Sequence, residues 1–295
     1  MNRLCTGLVV VFAAVLFSTA APAQSNLPPV GATVYSNIDD TTSPYTWQIC
    51  SGSCAGGANP QTATFTLNQA TPSLDGSSTK FYVQGGAWTD VLFYHHLGAN
   101  DGASNFQTDY WFMLDSNETT IGQAIEFDTY QFLVNFEGVS GKNSEFMFGS
   151  QCDYAQYGGV WDIWDQYAGH WIPQSNMPCV NPTQNRFKPN VWYHVTQNFS
   201  RLPSTATHPY GEMSFNSFHV VEYAADNTTI TSDYTYNMNL VTGAGQLPSG
   251  WGHQMGVQFQ MDFNGSATTG RSHGKKATAP SSMTEWVDQV SLTVW

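Results

Sequence analysis

The run QAIEFDTYQF, Gln123 to Phe132, carries two acids, Glu126 and Asp128, two residues apart. Side chains alternate across an extended strand. Glu126 and Asp128 therefore emerge together, while Ile125 and Phe127 point the other way. Carboxyl pairs are what bond cleavage at an acetal needs: in a retaining mechanism two of them stand about 5–5.5 Å apart, one as nucleophile and one as acid/base. The third polar residue, Gln131, is an amide. A plain strand puts residue 130 on the acid face, whereas a bulge after 128 would bring 131 there instead. An amide has no carboxyl proton to give, and general acid–base help is worth about 10²–10⁴ in rate. It still donates and accepts hydrogen bonds, so recognition of a hydroxylated ligand survives its presence.

The elements that must hold these residues are strands. Helix signals with a sustained 3.6 period and caps are nearly absent. Short alternating runs rich in Val, Ile, Thr, Phe, Tyr and Trp recur between Gly, Pro, Asn and Ser: TKFYVQ (79–84), TDYWFML (108–114), QAIEFDTYQF, VWDIWD (160–165), VWYHVTQNF (191–199), SFHVVEY (217–223), GVQFQMDF (256–263) and VDQVSLTV (287–294). Many strands at short spacing predict a sandwich or barrel. In 256–263, Val257, Phe259, Met261 and Phe263 form one face and Gln258, Gln260 and Asp262 the other. In 191–199, Val191, Tyr193, Val195 and Phe199 oppose Trp192, His194, Thr196 and Asn198. Packing the apolar faces between two sheets leaves the polar ones outside, and a curved sheet makes them a groove.

On these residues the chain resembles a family. EFDTYQ at 126–131 is similar to the E-x-D-x-x-E signature of the concanavalin A-like lectin/glucanase superfamily, as in family 16 and family 7 glycoside hydrolases. VWYHVTQNF resembles its W-x-H-V-type strand, and the closing VDQVSLTVW its last strand. The resemblance implies an all-β, two-sheet antiparallel jelly-roll sandwich. It makes Glu126 the nucleophile and Asp128 its hydrogen-bonding neighbour, and puts Gln131 where the acid/base Glu belongs. With that acid missing, the expectation is a carbohydrate-binding protein that recognises a neutral polysaccharide or oligosaccharide in a concave groove. The alternatives are an active endo-glucanase-like glycoside hydrolase, with Glu126 as nucleophile and an acid from Asp162, Asp165, Glu145 or His194, and a structural or adhesive surface protein. The superfamily often carries a structural calcium ion. Asp, Asn and carbonyl-rich loops are plentiful here, but no D-x-[DN]-x-[DN]-G run places one, so no cofactor and no metal ligand is assigned.

Ten Trp residues offer platforms for the weakly apolar face of a pyranose. VWDIWDQYAGHW interleaves Trp161, Trp164 and Trp171 with Asp162, Asp165 and Gln166. Trp161 and Trp164, three apart, cannot share a strand face, so one belongs to the core. Trp164, Trp171, Asp162 and Asp165 are expected near the groove, with Trp192 and His194 from 191–199 and Gln258 and Gln260 from 256–263. Trp251 follows PSG in an expected loop. His95 and His96 point to opposite faces of a strand, so one metal site cannot easily use both.

The start of the chain reads as an export leader over 1–23: a basic Asn2-Arg3, an apolar run from Leu8 to Phe17 too short for a membrane span, and APAQ as a cleavage site. Residues 24–295 are expected to form one jelly-roll domain, secreted to the periplasm or the exterior and without a membrane span. The formal charge is −13, with only 9 Lys and Arg. That excludes nucleic acid and anionic membranes as partners and suits a neutral or cationic ligand. Cys5 leaves with the leader. The remaining Cys50, Cys54, Cys152 and Cys179 allow three pairings. Cys50–Cys54, in CSGSC, with Cys152–Cys179 is the favoured one, the second bridge being worth roughly 3 kcal/mol. A zinc site lacks a matching second pair of ligands. GRSHGKKATAPSS (270–282) is the one basic cluster and reads as a solvated loop.

Overall fold

The computed structural model describes residues 28–267 and 281–295. The leader, Cys5 and most of the basic stretch lie outside the described residues. In chain order the strands are β1 (Thr33–Tyr35), β2 (Gln48–Ser51), β3 (Thr62–Gln69), β4 (Ser78–Gly85), β5 (Asp90–Gly98), β6 (Asn105–Leu114), β7 (Gly122–Leu133), β8 (Ser144–Asp153), β9 (Val160–Asp165), β10 (His170–Pro178), β11 (Tyr193–Leu202), β12 (Glu212–Tyr223), β13 (Ile230–Gly243), β14 (Gly245–Gln246), β15 (Gln254–Phe263) and β16 (Ser281–Val294). Every run singled out in the sequence falls in one of them, except that Val191 and Trp192 precede β11. The short β14 and the less regular β8 and β10 carry weaker alternation and are not evident from pattern alone.

The strands build two antiparallel sheets. Sheet I runs β13-β12-β11-β6-β16-β4-β3, with β1 added to β16, and sheet II runs β10-β9-β8-β7-β15-β5-β2, with β14 added to β8. The chain passes repeatedly from one sheet to the other, and the last strand inserts between β6 and β4. This is the all-β, two-sheet antiparallel jelly-roll sandwich expected from the sequence.

Alternation explains the packing. Ile125 and Phe127 of β7, Val257, Phe259 and Met261 of β15, and Val91 and Phe93 of β5 point inward from sheet II, against Phe106, Tyr110 and Phe112 of β6 and Val195 and Phe199 of β11 in sheet I. Phe127 sits centrally: its ring lies 4.9 Å from Tyr110, 4.9 Å from Phe112 and 5.8 Å from Phe259. Trp161 of β9 joins this layer, 6.1 Å from Phe127, and its indole N–H donates to the Cys179 carbonyl at 3.1 Å. An indole so buried needs that partner. Both disulfides form as favoured, Cys50–Cys54 and Cys152–Cys179, with Cα separations of 5.8 and 5.6 Å. The second ties the end of β8 to the segment following β10 and closes the border of the core around Trp161.

Truncating Phe127 leaves a cavity between both sheets. Phe127→Ala is expected to lower stability by about 3–5 kcal/mol, read as a shift of the urea unfolding midpoint at unchanged slope. A loss below about 1 kcal/mol would show that the ring does not occupy the centre of the core.

Candidate functional site

β7 is the middle strand of sheet II, and its register is unbroken where the acids stand. Glu126, Asp128 and Tyr130 face Gln260, Gln258 and Gly256 on β15, and Gln151, Gly149 and Met147 on β8. No bulge follows Asp128. Gln131 therefore stays on the inner face, fully buried, where its amide donates to the carbonyls of Asn100 at 2.7 Å and Ala103 at 3.1 Å. The expected amide beside the acid pair is corrected by this geometry: two buried carbonyls hold Gln131 inward, and Tyr130 takes the outward place. Gln258 and Gln260 do flank Asp128 and Glu126 as expected.

The outer face of sheet II carries a layer of carboxyl groups. Glu126 is 8% exposed and Asp128 3%. Burial, then the charge of Asp128, pushes the Glu126 carboxyl well above its usual range, and it donates its proton to Asp128. Asp128 itself is pushed up to about 6 by burial, against hydrogen bonds from Glu126, Gln258 and the Ser150 N–H, the last at 3.2 Å. A second such pair stands beyond it. Asp262 of β15 faces Asp90 of β5 and hydrogen-bonds to it. Burial raises Asp90 to about 7 and Asp262 well above its ordinary value. Asp162 of β9, raised to about 7 by burial, accepts from the Gln151 amide at 3.1 Å. The acids thus pair with one another and with amides, although Asp162 Oδ1 and Asp262 Oδ1 stay buried without a partner, while the ion pairs of Lys142 with Glu137 and Lys188 with Glu222 lie elsewhere.

Two glycines shape the surface beside this layer. A Cβ on Gly256 would come within 2.3 Å of the Tyr130 hydroxyl and 2.2 Å of the His95 carbonyl. Its absence lets the Tyr130 phenol cross β15 and reach His96 Nδ1 on β5, at 2.7 Å. A Cβ on Gly149 would meet Trp164 Cβ at 2.9 Å and Asp128 Oδ1 at 3.2 Å. In strand interiors such glycines mark close approach. Over Tyr130 and its neighbours opens a half-enclosed cavity of ≈ 680 Å³. Aromatic rings line it (Tyr45, Tyr94, Tyr130, Phe132 and Trp251) with His96, Glu145, Met147, Gln254 and Gln258 between them and the Cys50–Cys54 bridge at one wall. Burial, then neighbouring His95, lowers the pKa of His96. His95 points into the core beside Trp47, so the histidine pair does part to opposite faces.

The remaining expected residues scatter. Trp164 and Trp171 pair across β9 and β10 on the outer face of sheet II, ring centres 5.1 Å apart; Trp164 stands across Gly149 from Asp128, and Trp171 lies one strand further out. Asp165 caps the turn between them, accepting from the Ala168 N–H at 3.0 Å. Trp192 and His194 belong to the other sheet and are corrected accordingly. His194 pairs with Asp109 on β6 at 2.9 Å and stacks on Trp111, while Trp192 is buried. Alternation told which residues of 191–199 share a face but not which sheet that face belongs to. Sequence reasoning missed Tyr94, Tyr130 and Phe132, although Gly256, a glycine inside an otherwise clean strand, marked the place where Tyr130 crosses. Among the described residues no group of three or more His, Cys, Asp and Glu is arranged to hold a metal ion.

No family model matches the chain, and no curated protein matches it. Among solved structures it is similar to a marine PL-14 alginate lyase from Aplysia kurodai, at 11% identity and a TM-score of 0.44, over 84% of this chain and 90% of that one. It is also similar to arcelin-5, a lectin-like defence protein from Phaseolus vulgaris, at 9% identity and a TM-score of 0.37, over 90% and 98%, and to lectin II from Ulex europaeus, at 10% and 0.40, over 89% and 98%. Likeness at this level says nothing of what this chain binds or does.

The carboxyl layer has a consequence for stability. Acids whose pKa rises on folding hold protons that the unfolded chain has released, so stability falls as pH climbs from the ordinary carboxylate range, about 4, through about 7. The exposed Glu137 and Asp226, lowered to about 2, act in the opposite sense only at more acid pH. His95 and His96, lowered by burial, also oppose the trend as pH rises toward the ordinary imidazole value, but they are two groups against the raised Glu126, Asp128, Asp90, Asp262 and Asp162. The urea midpoint is therefore expected to be higher at pH 5 than at pH 8, and Glu126→Gln, which keeps a donor toward Asp128, is expected to narrow the difference. A midpoint that rises between pH 5 and pH 8 would contradict the shared-proton arrangement.

Proposed function

We propose that the chain is an exported saccharide-binding protein that holds its ligand in the cavity on the outer face of sheet II and does not cleave it. One observation carries this reading: the cavity interleaves five aromatic rings with amide, imidazole and carboxyl groups, and among the described residues no Lys or Arg lines it. The C–H face of a pyranose packs on such rings, and its hydroxyls need such polar neighbours. The volume lies within the roughly 300–1,000 Å³ of small-molecule sites. The acidic chain and the carboxyl layer beneath favour a neutral or cationic saccharide over an anionic one.

Several features support binding over hydrolysis. Glu126 is absent from the cavity wall and hydrogen-bonds to Asp128. Glu145 does line the cavity, but it lies four residues along β8 from Gly149, the residue opposite Asp128. At about 3.4 Å per residue that is roughly 14 Å, beyond the about 5–5.5 Å of retaining and the about 6.5–9.5 Å of inverting carboxyl pairs. Two disulfides fit an oxidising compartment and support export. No helix of the described residues is long and apolar enough to cross a membrane.

Retention on a panel of insoluble glycans, with calorimetry on matching oligosaccharides, tests the proposal. Tyr94→Ala or Trp251→Ala is expected to weaken binding about tenfold, or about 1.4 kcal/mol, with Glu126→Gln neutral and no reducing ends released. Release of reducing ends that Glu126→Gln abolishes would show a hydrolase instead.

A further inference from the structure

The cavity's hydrogen-bonding polarity can be worked out atom by atom. The Tyr94 hydroxyl donates to Gln48 Oε1 at 2.9 Å. The Tyr130 hydroxyl has two partners, His96 Nδ1 at 2.7 Å and the His95 carbonyl at 3.3 Å. A phenol has one hydrogen and a carbonyl only accepts. Both contacts are satisfied together only when Tyr130 donates to the His95 carbonyl and accepts from a proton on His96 Nδ1. In the neutral ring this leaves His96 Nε2 as a bare lone pair. Gln258 Nε2 donates to Asp128 Oδ2 and leans on Met147 Sδ at 3.6 Å, which turns its Oε1 away from the acid.

The fixed donors of the cavity floor are therefore spent within the protein. What remains for a ligand includes the acceptors Tyr94 phenol oxygen, His96 Nε2 and Gln258 Oε1, with the Glu145 carboxyl, which also accepts from Gln166. Tyr45, Gln254 and the exposed Trp251 line the cavity too and carry donors, so what marks the cavity is Glu145, a carboxyl in its lining with no Lys or Arg of the described residues beside it. The rings of Tyr94 and Trp251 add faces that attract a cation. A hydroxyl both donates and accepts, so it uses such a floor only in part. An ammonium has three donors and no acceptor, and its charge favours the ionised carboxylate of Glu145 against the burial that raises that group's pKa.

We propose that this cavity selects a cationic amino sugar, a saccharide bearing free protonated amines, over its neutral and N-acylated counterparts. The selection rests on the saccharide reading above and names the class of ligand for the same site.

Calorimetric titration of the full chain with glucosamine, glucose and N-acetylglucosamine oligosaccharides of equal length tests it, with a lysine oligomer of matched charge as a fourth probe. The glucosamine chain is expected to bind at least about tenfold more tightly than the other three, the scale of charge-assisted hydrogen bonds added to ring contacts. Glu145→Gln and, separately, Tyr94→Phe are each expected to narrow the gap between glucosamine and glucose chains. Equal affinity for those two chains overturns the selection and leaves the saccharide reading standing. A lysine oligomer that binds as tightly as the glucosamine chain overturns it too, because charge alone would then suffice. Failure of every oligosaccharide to bind overturns both.

Discussion

The unbroken alternation of β7 is the constraint on which the rest of the site depends. Its inner side chains are fixed one after another: Phe127 by the rings of both sheets, Thr129 by a hydroxyl contact with Thr108, and Gln131 by the carbonyls of Asn100 and Ala103. A bulge anywhere between them would expel one of these groups and leave buried carbonyls without donors, at about 1–3 kcal/mol each. With the inner face locked, the outer face has no freedom either. Glu126, Asp128 and Tyr130 must stand in line, each against a defined partner on β8 and β15.

From that line the site divides into two layers. Below, carboxyl groups share protons and amide donors, and burial raises their pKa values. Above, the same contacts set the orientation of what the ligand meets. Asp128 draws the amide hydrogens of Gln258 downward, and the missing Cβ of Gly256 lets Tyr130 hold the imidazole of His96. On the proposed reading, the acids most suggestive of catalysis act as positioning residues, buried beneath the cavity and bonded to one another and to Gln258.

Much of this was legible in the residues alone. Strong alternation in β7, β9 and β15 told inside from outside and required one of Trp161 and Trp164 to be core, and in β5 it parted His95 from His96. The short CSGSC spacing pointed to its own disulfide. What escaped were facts that depend on neighbours in space. Whether Gln131 faces in or out turns on two carbonyls some thirty residues away, and local sequence holds no trace of them. Trp192 and His194 have the alternation of a groove strand, yet the topology places them in sheet I, where Asp109 and Trp111 engage His194. The cavity comes from the junction of β5, β7, β8 and β15 with the loop that carries Trp251, elements far apart in the chain.

The most direct measurement is a crystal structure of the chain with a bound oligosaccharide. The ligand should lie in the cavity over Tyr94 and Tyr130, against Trp251, with a donor group directed at His96 Nε2 and Gln258 Oε1. A saccharide found instead on sheet I beside Trp111 and His194, or only at the Trp164–Trp171 pair with the cavity empty, would contradict it.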